Sequence, residues 1–349
     1  MWGENMSYTV QSSEKLRKSG AEGETKALLY LMNFRSDSNE IHYFVVDFFN
    51  DLTGMDRYAG KLWDVQSKAA KNNSPNAIGK ELVTLFKNFV SDLEFAFYIL
   101  FLGGVTSSLR IDDSLSSFDL NNIKPESQKK LISGLIEEAK AKTYINNATI
   151  TDANISDFLS KVTFVVDDKS PSEYVREIIK DHPAIIPNDN DLIAIFNEIR
   201  DKQSEKKNTV VEGITIQATD EVLNYCRHLT NSEIKLLTLQ RSISKNPVEL
   251  SVPHSFIPIY ISWPPQRQKE MFDECRQTLC RALFNKNAAD AFWSLFENIY
   301  TLIVGNPTLG PEEIFRTMDP AIKNATPDFD ALSLKFFIAV VKDGIQGEN

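Results

Sequence analysis

The segment Asp47-Phe48-Phe49-Asn50-Asp51, followed by Trp63-Asp64-Val65-Gln66-Ser67-Lys68, gathers the residue types of this chain best suited to chemistry. In an extended strand alternate side chains share a face, so Asp64, Gln66 and Lys68 point one way while Trp63 and Val65 point into the core. If Asp47 to Asp51 is also extended, its two acids share a face, and a short loop brings them beside the second strand. An acid at a strand end, an amide oxygen and a lysine two residues further on suit a Mg²⁺ site for phosphodiester hydrolysis. Carboxylate and amide oxygens match a hard cation that activates water and neutralises the scissile phosphate. The lysine positions the nucleophile and stabilises developing charge.

Other chemistries leave no trace. Cys275 and Cys280 are five apart on an expected helix, roughly 140° apart around its axis, so they do not share a metal easily. Cys275 falls on the apolar stripe of Met271, Phe272 and Leu279 and reads as a small core residue. No two of His42, His182, His228 and His254 have helical metal-ligand spacing, and no His-Glu-x-x-His occurs. A phosphate-binding Gly-x-x-x-x-Gly-Lys-Ser/Thr, a Gly-x-Ser-x-Gly and a Gly-x-Gly-x-x-Gly are all absent.

The elements that must position these residues can be read from hydrophobic period and turn chemistry. Residues 12–36 begin with Ser/Gly punctuation and continue as a helix through Ala27, Leu28, Leu31 and Phe34. Ile41 to Phe49 reads as a strand ending in the turn formers Asn50-Asp51-Leu52-Thr53-Gly54, and Lys61 to Ala69 as a second strand. Ile78, Leu82, Leu85, Phe86 and Phe89 trace a helix face, and Phe95 to Leu102 reads as a buried strand. Helix, strand, turn, strand, helix, strand is complete by about residue 103, the pattern of a small mixed sheet flanked by helices. From Leu115 to about Ser244 the pattern is mostly helical, over Gln128–Lys142, Ser172–Lys180, Asp191–Lys202 and Thr219–Leu239, with one short strand at Val162–Val166. After Pro247 an extended aromatic piece, Val252 to Trp263, leads into helices at about Gln266–Phe284, Ala288–Val304, Pro311–Met318 and Asp330–Lys342. Their broad apolar faces, including the stripe Phe292, Phe296, Ile299 and Ile303, must bury within this tail or against another chain.

Composition bounds the class. The 349 residues are 42% hydrophobic and 25% charged, as in an ordinary globular chain. The net charge of −10 argues against coating nucleic acid by bulk attraction, but residues 1–75 are near −1 and the surplus acid lies beyond them. The longest apolar run, Phe95 to Val105, falls far short of the ~20 residues a membrane helix needs. The polar start carries no secretory pattern, and three scattered cysteines make no disulfide framework. A cytoplasmic chain with reduced thiols and no membrane contact is expected.

Asp51 before the paired strand, with Gln66-Ser67-Lys68 on it, resembles the PD-(D/E)XK nuclease superfamily, whose core is a helix, a strand ending in Asp and a strand bearing (Asp/Glu/Gln)-X-Lys. The upstream Gly20-Ala21-Glu22-Gly23-Glu24 looks like the Gly-x-x-x-Glu that adds another acid in many members, and Glu24 fits that spacing better than Glu22. The Gln form is similar to double-stranded DNA endonuclease effectors of bacterial CBASS and Lamassu anti-phage systems. The helical tail resembles the C-terminal part of Lamassu nuclease subunits, which docks on an SMC-like ATPase complex. The match covers roughly residues 19–103. It implies catalytic residues Asp51, Gln66, Lys68 and Glu24, with Mg²⁺ (or Mn²⁺) held by Asp51, Gln66 and Glu24. Gln66 stands where many relatives have an acid, and a neutral amide binds metal less strongly, so Asp51 and Glu24 must supply more of the charge.

Plainer readings stand beside these. Asp51 is also a turn former that bonds local N–H groups; Lys68 also suits an edge strand; Glu24 also favours the positive first turn of a helix. Asp47 and Asp64 read best as solvated acids. The expected fold is α/β (α+β), with a nuclease core at 12–110, a helical extension at 111–246 and a C-terminal docking module at 247–349. The function implied is a DNA endonuclease, restrained by a partner complex and self-associating when active. The alternatives are a non-catalytic adaptor on a nuclease-like fold and, third, an RNA-cleaving variant.

Overall fold

The computed structural model describes residues 7–10, 18–243 and 250–346, so the expected boundaries at residue 12 and Pro247 lie outside the described residues. The chain forms two compact units, Met1–Tyr174 with Phe196–Asn231, and Val175–Ile195 with Ser232–Asn349.

The first unit is mixed α/β. In chain order it begins with β1 (Tyr8–Thr9), α1 (Lys18–Asn33), β2 (Tyr43–Val46), β3 (Leu52–Met55), β4 (Leu62–Lys68), α2 (Pro75–Glu81), α3 (Val83–Phe89) and β5 (Phe97–Leu102). It continues with β6 (Ser117–Phe118), α4 (Pro125–Ala141), α5 (Asp152–Lys161), β7 (Val162–Val166), the start of α6 (Pro171–Ile178, whose residues from Val175 on belong to the second unit), the part of α7 (Asp189–Glu205) from Phe196 on, β8 (Thr215–Ile216) and β9 (His228–Thr230). A seven-stranded sheet runs β6-β7-β5-β4-β3-β2-β9, with β4, β5 and β7 parallel and the remaining pairings antiparallel.

The sheet departs from the expected one in three ways. Asn50 to Gly54 is not all turn: Leu52–Met55 forms β3, every residue buried, between β2 and β4. Gly54 suits that strand because a Cβ there would meet Leu31, Ile41 and Trp63 at 3.2–3.3 Å. The first strand stops at Val46, and Asp47 to Asp51 bend back, with Asp47 in the left-handed region at φ 51° and its N–H donating to the Asp51 carbonyl at 3.1 Å. The two acids therefore do not alternate along an extended segment. Finally, the sheet does not close by residue 103. β6, β7 and β9 join it, and β9 lies inside the stretch read as the helix Thr219–Leu239.

Helices cover both faces. α1 lies against β3, β4 and β5, and α3 against β4. The expected helix over Ile78–Phe89 breaks at Leu82 into α2 and α3. Ser74 caps α2 through its Oγ, which accepts from the Ala77 N–H at 3.3 Å, and Pro75 supplies the pre-set first turn. α2 and α4 cross with their backbones in contact. A Cβ on Gly79 would lie 1.9 Å from the Leu131 carbonyl oxygen, and one on Gly134 2.2 Å from that of Asn76.

The second unit is helical: most of α8 (Asn231–Ile243), then α9 (Ile257–Ile261), α10 (Pro265–Phe284), α11 (Ala289–Gly305), α12 (Pro311–Thr317), α13 (Pro320–Ala325) and α14 (Ala331–Gln346). Val252 to Trp263 is not extended; a 3₁₀ turn at His254–Phe256 and α9 occupy it. α14 packs on α10, α11 and α12, and the stripe Phe292, Phe296, Ile299 and Ile303 is wholly buried. Most of the broad apolar surface is thus satisfied within the unit, though Ile261, Phe284 and Val304 stay more than half exposed. Cys275 is buried, its thiol pushed up to about 12 by that burial. Among the described residues no helix is long and apolar enough to cross a membrane.

Candidate active site

Asp64, Gln66 and Lys68 share one face of β4, as strand alternation requires, but that face is roofed by α2 and α3 rather than open to water. Lys68 Nζ lies 2.8 Å from Glu81 Oε2, Thr84 Oγ donates to Gln66 Oε1 at 2.8 Å, and Asn88 Nδ2 donates to Asp64 Oδ2 at 2.7 Å. Positions 81, 84 and 88 descend along the helices as 68, 66 and 64 descend along the strand. Two strand residues rise ~6.6 Å and three or four helical residues ~5 Å, close enough for side chains to bridge the difference. The solvated reading of Asp64 is thereby corrected: it is fully buried, and burial pushes its pKa up despite the bond from Asn88 and the nearby charge of Lys87. A strand in the middle of a sheet covered on both faces has no wet side.

Asp51 closes the β2–β3 loop beside the end of β4. Its Oδ2 accepts from Gln66 Nε2 at 2.8 Å, from the Ser67 N–H at 2.8 Å and from Ser67 Oγ at 3.1 Å. The residue keeps some surface along a cavity, yet protein surrounds the carboxylate. Burial first, and the charge of Glu24 second, raise its pKa to about 7, against the opposing bonds from Ser67 and the charge of Lys207. Asp47 is raised to about 6 by burial, with Lys207 and Arg227 opposing.

Glu24 sits near the start of α1, where Gly23 approaches Ala69 just past β4. Its carboxylate pairs with Lys207 Nζ at 2.6 Å, with side chains only 14% and 9% exposed. Glu22, by contrast, is exposed and reaches Lys26 at 3.6 Å. Buried Arg227 ties the surrounding turns together, donating through Nη1 to the Asp47 carbonyl and through Nη2 to the Lys207 carbonyl at 2.8 Å. Its guanidinium also lies 3.5 Å from Asp47 Oδ2.

Asp51, Gln66 and Lys68 open onto a cavity of about 420 Å³ whose wall also carries Lys80, Lys87 and Lys142. These lysines are held in place: Lys80 by Glu137 at 3.0 Å, Lys142 by Glu138 at 2.8 Å, and Lys87 by the Phe49 carbonyl at 3.1 Å. The cavity lining thus combines the acids Asp47, Asp51, Glu81 and Glu138 with the ammonium groups of Lys68, Lys80, Lys87 and Lys142.

Among the described residues no group of three or more His, Cys, Asp or Glu side chains is placed to hold a metal ion. Mg²⁺ asks for less, since it keeps several waters and takes one or two carboxylates. Asp51 and Glu24, close enough for one charge to disfavour the other, supply that number, and a cation between them would relieve both the repulsion and the burial of Asp51. The donor chemistry fits a hard cation. Gln66 in its present hydrogen-bonding arrangement turns Nε2 toward Asp51 and Oε1 toward Thr84, so as a ligand it must rotate its amide.

Glu81, Thr84, Lys87, Lys207 and Arg227 join this neighbourhood without any motif to announce them. The spacing of Glu81, Thr84 and Asn88 along the helices was the one available signal. No protein-family model, curated protein or solved structure matches the chain.

Proposed function

We propose that this chain is a divalent-metal-dependent nuclease of the PD-(D/E)XK type that hydrolyses DNA phosphodiester bonds. The observation that carries the reading is the meeting of Asp51, Gln66 and Lys68 at one cavity ringed by lysines at the carboxyl end of β4.

Asp51 and Glu24 would hold Mg²⁺ or Mn²⁺, with Gln66 as a neutral third donor. When bound, the cation supplies the positive charge that polarises the phosphoryl oxygen and acidifies water. Lys68, oriented by Glu81, binds a non-bridging oxygen of the scissile phosphate and stabilises the charge that grows there. Lys80, Lys87 and Lys142 bind flanking phosphates, giving local attraction to nucleic acid in a chain whose net charge is −10. DNA rather than RNA comes from the motif resemblance. So do a role as a cytoplasmic anti-phage effector, docking on an SMC-like ATPase complex and self-association in the active state. Exposed Ile261, Phe284 and Val304 on the helical unit support a protein partner.

A rival reading is an interaction protein on a nuclease-like fold. It is favoured by the internal pairing of every candidate: Lys68 with Glu81, Gln66 with Thr84 and Asp51, Glu24 with Lys207. Incubation of the full chain with plasmid DNA and a matched RNA, with and without Mg²⁺ and beside Lys68→Ala, separates them. Nicking or linearisation that needs both the metal and Lys68 supports the nuclease, preference for RNA moves the substrate, and no cleavage under any activating condition leaves the adaptor.

A further inference from the structure

Lys207 is placed where its positive charge serves several of the acids at once. Its Nζ pairs with Glu24 at 2.6 Å, and its charge is felt at Asp51 and Asp47 as well. At 9% exposure its side chain has little access to water. The lysine is not there by the accident of a long side chain folding inward. Its own carbonyl accepts from Arg227 Nη2 at 2.8 Å, and Arg227 in turn holds the Asp47 carbonyl. Four residues earlier, the Gln203 side chain near the end of α7 accepts from Thr25 Oγ at 2.9 Å, so the helix that leads into the 3₁₀ turn bearing Lys207 is fastened to the residue next to Glu24. One anchor on the Lys207 carbonyl and one through the Gln203 side chain therefore fix where the ammonium falls. In sequence the polar stretch Asp201 to Asn208 reads as an exposed linker or helix end; α7 does end there, at Glu205, and the fold turns Lys207 inward.

A compact ammonium near two carboxylates does for them what a divalent cation would do, at lower charge. Both cannot hold the same Glu24 oxygens. We infer that Lys207 is a resident counter-ion of the Glu24–Asp51 pair which a divalent metal must displace to bind, so that this residue sets the metal concentration at which the site loads. The inference rests on the proposed metal site at Asp51 and Glu24 and adds to it a competitor supplied by the chain itself. Its consequence is a site that stays metal-poor and closed by an internal salt bridge until the turn at Lys206–Asn208 moves. Anything that pulled on Gln203, Arg227 or that turn would then load the site without touching a ligand.

The test is a calorimetric Mn²⁺ titration of the full-length wild type, Lys207→Met, Lys207→Arg and Asp51→Asn, with folding checked by thermal melts. Lys207→Met, which removes the charge and keeps the length, is expected to bind Mn²⁺ at least about tenfold tighter than wild type. Lys207→Arg should stay near wild type, and Asp51→Asn should lose the metal. If wild type binds Mn²⁺ through Asp51 and Lys207→Met binds no tighter, the counter-ion role is overturned while the metal site stands. If none of the folded proteins binds Mn²⁺, the metal site and the role fall together. A second readout uses wild type alone, so it does not depend on the variants folding. Lysine acetylation mapped by mass spectrometry should show Lys207 protected in EDTA and modified faster once Mn²⁺ is added. Equal or slower modification with metal overturns displacement.

Discussion

The amide of Gln66 donates to Asp51 at 2.8 Å while its oxygen accepts from Thr84 at 2.8 Å, so one side chain links the candidate acid on the β2–β3 loop to the helix above it. Gln66 therefore has a structural use that does not depend on a metal. Replacement by Glu puts a second carboxylate where an N–H now meets Asp51. Without metal, Gln66→Glu should melt lower, by about 1–2 kcal/mol of stability, because a buried acceptor loses its donor. With saturating Mg²⁺ the same variant should recover and bind the ion at least as tightly as wild type, whereas Gln66→Ala should bind it more weakly. Equal metal affinity for all three proteins would falsify Gln66 as a ligand.

Asp51→Ala and Lys68→Ala should each reduce Mg²⁺-dependent plasmid cleavage by at least about a hundredfold while leaving a cooperative melt, since general acid–base and charge-stabilising groups are each worth that much. Glu81→Gln, which removes the ion pair to Lys68, should reduce it less. A well-folded Lys68→Ala that cuts at the wild-type rate removes that residue from the chemistry.

Acidity should stabilise the metal-free protein. Asp51 and Asp47 have pKa values raised by burial from 3.8 to about 7 and about 6, so the folded state holds protons that the unfolded chain releases. For such groups the stabilisation is complete below about pH 4 and is lost as pH rises through 6 to 7. The metal-free chain should thus melt higher at pH 5.5 than at pH 8. Mg²⁺ should narrow the gap by stabilising the ionised acids. Asp64→Asn should flatten the profile further, because that carboxyl is buried and raised as well. A melt temperature that climbs steadily from pH 5.5 to 8 without metal contradicts this.

Gly134→Ala should separate α2 from α4, since the added Cβ would fall 2.2 Å from the Asn76 carbonyl oxygen, a backbone atom that cannot swing aside. The expected cost is about 1–3 kcal/mol, read as a lowered melting temperature. Because α2 carries Glu81, cleavage should fall along with stability. An unchanged melt would mean that the two helices can part cheaply.

The exposed apolar residues of the helical unit give a cleaner test of docking than a truncation. His182, which belongs to that unit, is caged by Trp293, Phe296 and Tyr300, so removing the tail strips a packed residue. Ile261→Asp with Phe284→Asp should abolish co-purification with an SMC-like ATPase complex and leave Mn²⁺ binding intact. Full retention of the complex by this double variant removes the surface from consideration.

How far this arrangement could be read from sequence follows from how local each signal is. Asp51, Gln66 and Lys68 were legible because strand alternation and a short loop bring them together within twenty residues. Asp64 was misread because the same alternation says which residues share a face but not whether helices cover it. β3 was missed since Asn50, Asp51, Thr53 and Gly54 favour turns, and only the crowding of Leu31, Ile41 and Trp63 around Gly54 explains why glycine belongs in that strand. Lys207 and Arg227 arrive from far along the chain, and no periodicity in a polar stretch indicates which acid its lysines will meet.

β9 pairs with β2, Val45 opposite His228, so the last strand of the sheet is supplied by nearly the last residues of the first unit. Until residue 230 leaves the ribosome, the outer edge of β2 is a bare row of N–H and C=O groups, and Arg227 has not yet pinned the Asp47 turn. Contacts this distant in sequence are formed late and slowly, after the loop-closure entropy of the intervening chain has been overcome. During synthesis the seven-stranded sheet is accordingly open-edged and its acidic cluster uncapped, and cooperative folding of that unit waits on a three-residue strand.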